Sequence, residues 1–180
     1  MKLDARTVST HLTDYDQIKQ LYHTAFPAEE QVSWSSLMHK SHSKHVEFLA
    51  YYVDSEFVGM TYVIRHSNTN LLFYFAIADG ARDHGYGGQI IDWLQEKYPN
   101  EPLVIEVEPD DPQAPNLEQR QRRFKFYHRH GFHEIGHQVV EEGVPYEILS
   151  TDPTFDVQLM KPIYRWFSFP FINRSKLEIK

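Results

Sequence analysis

Residues 71–78, Leu-Leu-Phe-Tyr-Phe-Ala-Ile-Ala, form an unbroken apolar run that leads into Arg82-Asp83-His84-Gly85-Tyr86-Gly87-Gly88. A run that is apolar at every position, instead of at every second one, suits a central strand covered on both faces. Beyond the glycines, Ile90, Ile91, Leu94 and Tyr98 share one helical face, and Pro99 closes the segment. A strand, a glycine loop and a helix in that order make an anion site. The first helical turn leaves amide N–H groups unpaired, and the helix dipole favours negative charge there. Gly85 and Gly87 lack a Cβ, so the backbone can approach an oxygen closely, while Gly88 allows close packing of helix on sheet. Phosphate is the expected guest.

Around this centre the periodicities alternate between helix and strand. Ile18, Leu21, Tyr22, Ala25 and Phe26 follow the helical repeat behind Thr13 as N-cap candidate, with Asp16 three positions on, and Pro27 stops the helix. A shorter helix is predicted over 33–39. Residues 46–53 and 57–65 read as strands joined by Asp54-Ser55-Glu56, and the 71–78 strand follows the polar turn Ser67-Asn68-Thr69-Asn70. Residues 103–107 form the next strand. With a helix between it and the 71–78 strand, a parallel crossover is the economical connection. Asn116 with Gln119 has the capping-box pattern for a helix reaching His130, with Leu117, Phe124 and His128 on its buried stripe and Gly131 as its left-handed terminator. Residues 133–141 and 145–150 read as a final hairpin around Glu142-Gly143. The fold class is thus α/β (α+β), a mixed, mostly antiparallel sheet of about six to seven strands flanked by helices.

A length of 180 residues predicts one domain with one core. Residues 151–180 carry Tyr164, Trp166, Phe167, Phe169 and Phe171, too much apolar surface to leave in water, and are expected to pack on the same domain. A dimer contact or part of a substrate wall are the other uses for such a tail, so a homodimer stays open. The chain has no cysteine, which excludes disulfides, thiolate metal sites and a cysteine thioester, and fits a cytoplasmic protein. No apolar run is long enough to span a bilayer, and the first residues lack the pattern of a targeting segment. A formal net charge of -7 argues against a nucleic-acid partner and suits a cationic substrate.

The glycine spacing fits neither a P-loop nor a dinucleotide-binding loop. It does resemble the pyrophosphate signature of the GNAT acetyltransferase superfamily: Arg or Gln, two residues, Gly, one residue, then Gly or Ala, met by Arg82, Gly85 and Gly87. Phe75-Ala76-Ile77-Ala78 is similar to that family's core strand, and Phe126-Tyr127-His128-Arg129-His130-Gly131-Phe132 to its last-helix motif. The resemblance covers residues 1–150 and leaves the tail outside. It implies acetyl-CoA as co-substrate, with the CoA pyrophosphate on amides of Arg82, Asp83, His84, Gly85, Tyr86, Gly87 and Gly88. It further implies backbone contacts from Ile77 and Ala78 to the pantetheine arm and thioester, and Tyr127 as the acid that protonates the departing thiolate.

An ammonium has no lone pair, so an acceptor amine must lose a proton to some carboxylate or water chain. Many members of the family carry a glutamate on the strand before the loop; here that place holds Phe73, Tyr74 and Phe75. Glu106 and Glu108, on one face of the next parallel strand, are the nearest alternatives, Glu106 being the more interior. Solvated surface carboxylates are the other reading of both. His39, His42 and His45, and His128, His130 and His133, lack the spacing of helical zinc pairs, and no metal is expected. Arg120, Arg122, Arg123, Lys125 and Arg129 make a basic helix, read as a solvated face paired with local carboxylates, or as lying near the CoA 3′-phosphate. The expected activity is direct acetyl transfer from acetyl-CoA to a primary amine on a small molecule or peptide. A non-catalytic acyl-CoA sensor or interaction module, which kept the loop and lost the base, is the alternative.

Overall fold

Asp54 and Ser55 both take positive φ, 49° and 70°, the backbone that a two-residue hairpin turn of matching twist requires. They join β2 (Val46–Val53) to β3 (Glu56–His66), which pair antiparallel from Val46↔Ile64 to Val53↔Glu56 with an irregularity at Tyr51/Tyr52. The computed structural model describes residues 2–141, 143–168 and 178–180. The chain divides into two compact units, Met1–Arg65 with Leu72–Lys97, and His66–Leu71 with Tyr98–Lys180.

In the first unit, β1 (Leu3–Thr7) pairs antiparallel with β2, from Leu3↔Val53 to Thr7↔Leu49. β4 (Thr69–Ile77) lies beside β3, and the Ala78 N–H just past its end donates to the Val58 carbonyl at 3.0 Å. Helices α1 (Tyr15–Ala25) and α2 (Trp34–Lys40) cover one face. The Trp34 ring meets Phe48 there, Tyr22 meets Tyr74, and the Tyr62 hydroxyl donates to the Leu37 carbonyl. Helix α3 (Tyr86–Lys97) covers the other face through Trp93 on Tyr51 and the Lys97–Glu47 ion pair. Strand alternation separates the two sets, since Phe48 and Tyr62 are cross-strand partners whereas Glu47 and Tyr51 lie on the opposite side of β2. The N-cap of α1 is Asp14 in place of the expected Thr13, and it makes no side-chain cap. Ser33 caps α2 as its type favours, accepting from the Ser36 N–H.

In the second unit, β5 (Leu103–Val107) runs parallel to the start of β4 through Asn70↔Leu103 and Leu71↔Val104. β7 (Val144–Ser150) pairs antiparallel with β5 on one side and with β6 (His133–Glu141) on the other. β8 (Glu178–Ile179) adds to β6. β6 carries a register shift between Glu134 and Gln138, where Gly136 has φ +74°, a bulge that the sequence reading did not anticipate. Glu142 of the expected hairpin turn lies outside the described residues.

Helix α4 (Leu117–Arg129) differs from expectation in two details. The capping box does not form, because the Asn116 side chain accepts from Arg120 Nε at 2.8 Å and reaches Glu108 instead of its own helix. His128 is not on the buried stripe: it is exposed and pairs with Glu134, and Tyr127 takes the interior position. The C-terminal end is as expected. Gly131 has φ +80°, its N–H donates to the His128 carbonyl, and the Phe132 N–H donates to the Tyr127 carbonyl, a Schellman termination.

Part of the aromatic tail is helix α5 (Met160–Ser168), with Pro162 in the first turn, where its missing N–H does no harm. Met160, Ile163, Tyr164 and Phe167 keep the helical repeat and are buried. Phe169 and Phe171 lie outside the described residues. The fold class is the expected one, a mixed, mostly antiparallel set of strands with helices packed on them.

Candidate active site

In the first unit, β4 delivers the chain to the glycine loop. Ala78 spends both backbone groups at this exit, its N–H on Val58 and its carbonyl on the Ala81 N–H at 2.9 Å. In an antiparallel ladder the next residue back points to the opposite edge, so the Ile77 backbone faces away from β3. Gly59 sets the spacing of β3 and β4 here: a Cβ on it would stand 2.6 Å from the Ala76 carbonyl oxygen. A single turn of 3-10 helix, Asp79–Ala81, then leads into Arg82, which is extended and forms an exposed ion pair with Asp79 at 2.9 Å.

The loop reverses hand twice, with Asp83 at φ +63° and Gly85 at φ +77°. At Gly85 only glycine takes such a backbone without strain. The Gly85 carbonyl accepts from the Gln89 N–H at 3.2 Å, the first bond of α3. The amides of Tyr86, Gly87 and Gly88 are therefore those of the first helical turn, for which the helix itself offers no acceptor. The His84 Nδ1 lies 2.7 Å from the Arg82 carbonyl, and its ring stacks on Tyr86 with centroids 5.7 Å apart and planes 13° apart. The sequence-predicted loop residues thus form one continuous feature, a strand exit and helix start whose first-turn amides suit an anion.

In the second unit, the Schellman turn at Gly131 folds Phe132 back onto the helix end. The Phe132 ring, fully buried, meets Tyr127 at 5.4 Å, and Phe126 meets it at 5.1 Å. This gives the tyrosine, glycine and phenylalanine at that spacing a common packing role. Burial pushes the Tyr127 phenol well above the ordinary tyrosine value, and the nearby Arg123 guanidinium opposes the shift. The Tyr127 hydroxyl makes no hydrogen bond among the described residues.

The two candidate carboxylates have different surroundings. Glu108 is clamped, accepting from Arg120 at 2.7 Å and from Arg123 at 2.8 Å, so part of the basic face of α4 is used inside the fold. Glu106, partly buried between Ile105 and Val107, accepts a hydrogen bond from the Tyr164 hydroxyl of α5. The sequence reading named Tyr164 only as one of several tail aromatics. Its sequence signal was the repeat Met160, Ile163, Tyr164, Phe167, which marks a helix but not the neighbour of its hydroxyl. Among the described residues no three metal-liganding side chains come together. No described helix is long and apolar enough to cross a membrane.

A family model described as the acetyltransferase (GNAT) domain matches residues 12–147. No curated protein matches the chain. Among solved structures, a protein described as a GNAT-family acetyltransferase from Bacteroides thetaiotaomicron superposes with a TM-score of 0.71 at 21% identity, over 94% of this chain and 97% of that one. An aminoglycoside 6'-N-acetyltransferase complexed with coenzyme A gives 0.64 at 14% identity, over 85% and 99%. The ribosomal-protein-S18-alanine N-acetyltransferase of Escherichia coli gives 0.59 at 13% identity, over 83% and 91%. At these identities the structures speak for the fold, and the matched model, spanning most of the chain, speaks for the family: the chain belongs to the GNAT acetyltransferases.

Proposed function

We propose that the protein moves an acetyl group from acetyl-CoA to a primary amine by direct transfer, with no covalent enzyme intermediate. The observation that carries this reading is the glycine loop, where Gly85 at φ +77° opens α3 and turns a first helical turn of amides toward an anion. The amides of Tyr86, Gly87 and Gly88, with the loop from Arg82 to Gly85, would hold the CoA pyrophosphate. The backbone of Ile77 and Ala78 would lie along the pantetheine arm, with the outward-facing Ile77 the better placed to polarise the thioester oxygen. Acetyl-CoA supplies the activated thioester carbonyl. Glu106, directly or through water, takes the proton that the acceptor ammonium must lose. As the C–N bond forms and the C–S bond breaks, Tyr127 gives its proton to the sulfur, and the phenol recovers one from the second nitrogen proton or from solvent. A phenol raised by burial keeps its proton at working pH. Its transfer requires that the sulfur be as poorly solvated as the phenolate it leaves behind.

An amine acceptor is supported by the net charge of -7 and by the names of two structural neighbours, both N-acetyltransferases. A cytoplasmic location belongs to the same reading, since a chain without cysteine has no use for an oxidising compartment. The test is thiol release from acetyl-CoA across a panel of small amines, polyamines, amino sugars and peptide N-termini, read cleanly because the protein has no thiol of its own. Release with one class names the acceptor. A second reading, an acyl-CoA sensor, is favoured by Phe73-Tyr74-Phe75, where the family resemblance implies a glutamate in many members, and by the Tyr74 hydroxyl being committed to Glu30 and Val32 backbone. Thermal stabilisation by acetyl-CoA with silence across the panel would select it.

A further inference from the structure

We propose that Tyr164, on the C-terminal helix beyond the segment matched by the family model, is a positioning residue that fixes the Glu106 carboxylate for its work on the acceptor amine. The inference rests on the reading that Glu106 receives the amine proton.

The backbone of Glu106 is set by the β5–β7 ladder, in which it sits opposite Ile148, between the buried Ile105 and Val107. The ladder fixes the direction of the Cβ and nothing further out. A glutamate side chain has several rotatable bonds and gives up substantial rotamer freedom when it is held in one place. The Tyr164 hydroxyl supplies the hold by donating to Oε1. Tyr164 can do so because it is itself fixed: the residue is 6% exposed, its hydroxyl lies 3.8 Å from the Met160 sulfur, and Ile163 and Phe167 on the same helix are buried too. A carboxylate gripped at one oxygen by a fixed donor is restricted in orientation, which favours proton transfer from a group held in reacting position. The tail thus takes on a role that a chain ending with the family-matched segment would lack.

The test is a double-mutant cycle in the full chain, read by thiol release with acetyl-CoA and the acceptor found in the panel. Tyr164→Phe keeps the ring and removes the hydroxyl, with its donation to Glu106 and its weak contact with the Met160 sulfur. It is expected to lower kcat about tenfold or more while leaving the KM for acetyl-CoA unchanged. In a Glu106→Gln background the same substitution is expected to cost nothing further in kcat, because the group it positions is gone. Equal fold losses in both backgrounds, or a Tyr164→Phe enzyme at full rate beside a slow Glu106→Gln, would overturn the positioning role and leave the base in place. A Glu106→Gln enzyme at full rate would remove the base reading and the proposal together. Should Tyr164→Phe fail to fold, Glu106→Asp approaches from the other partner: a carboxylate one methylene short of the hydroxyl is expected to lose kcat with KM for acetyl-CoA kept, and retention of full kcat would overturn the proposal.

Discussion

Tyr127 pairs a mostly buried residue, 7% exposed, with a hydroxyl that makes no hydrogen bond among the described residues and is not one of those sealed from solvent. A hydroxyl open in this way at a helix end is suited to a ligand. If it protonates the leaving sulfur, Tyr127→Phe should lower kcat about a hundredfold, the usual scale for one general acid, while the KM for acetyl-CoA stays within a factor of about two. Steady-state kinetics in both substrates checks this, and a raised KM at unchanged kcat would count against the acid role. Two glycines make a second contrast. Gly59→Ala would drive a Cβ to 2.6 Å from the backbone oxygen of Ala76, which cannot swing aside, and should destabilise by about 1–3 kcal/mol. Gly85→Ala meets no atom within 4 Å, so its stability cost is the left-handed backbone alone, about 1 kcal/mol, and its larger effect should be weaker acetyl-CoA binding. Urea midpoints with acetyl-CoA titrations separate the two, and equal affinity losses would show that the loop conformation is not what binds.

At the scale of elements, Glu108 ties the end of β5 to α4 through Arg120 and Arg123, with the Arg120 and Glu108 side chains mostly buried at 16% and 19% exposure. Glu108→Gln removes the charge from a largely desolvated clamp and should cost about 1–3 kcal/mol in a urea melt; no loss would mean that the guanidiniums find water instead. The elements nearest this chemistry were legible in the sequence because each had a local reason. The apolar run of β4, the glycines before α3, the short strand β5 and the Gly131 terminator all depend on residues close in the chain. What was not legible depended on distant partners. Both i+3 and i+4 from Phe124 lie on one helical face, so the choice of Tyr127 over His128 was made by the packing of Phe132 and by Glu134, which pairs with His128 outside. Asn116 abandoned its cap because Glu108 and Arg120 offered better partners. β1, Leu-Asp-Ala-Arg-Thr, alternates over only five residues with few strong strand formers, and it is its ladder with β2 that makes it a strand. The bond from Tyr164 to Glu106 spans 58 positions, and no local pattern announces it.

For the molecule as a whole, the acidic net charge and the abundance of buried tyrosine give alkaline pH a particular effect on stability. Burial raises the phenols of Tyr51, Tyr52 and Tyr62 in the first unit, as it does that of Tyr127 in the second, above the ordinary tyrosine value. The unfolded chain ionises these groups near the ordinary tyrosine value, while the folded protein keeps them protonated to higher pH. Above about pH 10 the unfolded state therefore binds fewer protons than the native state, and stability falls as pH rises. The contribution of each group is fully present below that point and is lost up to its folded value, with a slope approaching about 1.4 kcal/mol per pH unit. Four such groups acting together should lower urea midpoints steeply between about pH 10 and pH 11.5, with little change from pH 8 to 9. Tyr62→Phe removes one titrating group, together with its bond to the Leu37 carbonyl, and should lower the midpoint at neutral pH while flattening the alkaline slope by up to about a quarter. A slope unchanged by that substitution, or ultraviolet titration showing all tyrosines ionising in the native protein near the ordinary value, would mean that water reaches these hydroxyls and that the cores of the two units are looser than their burial indicates.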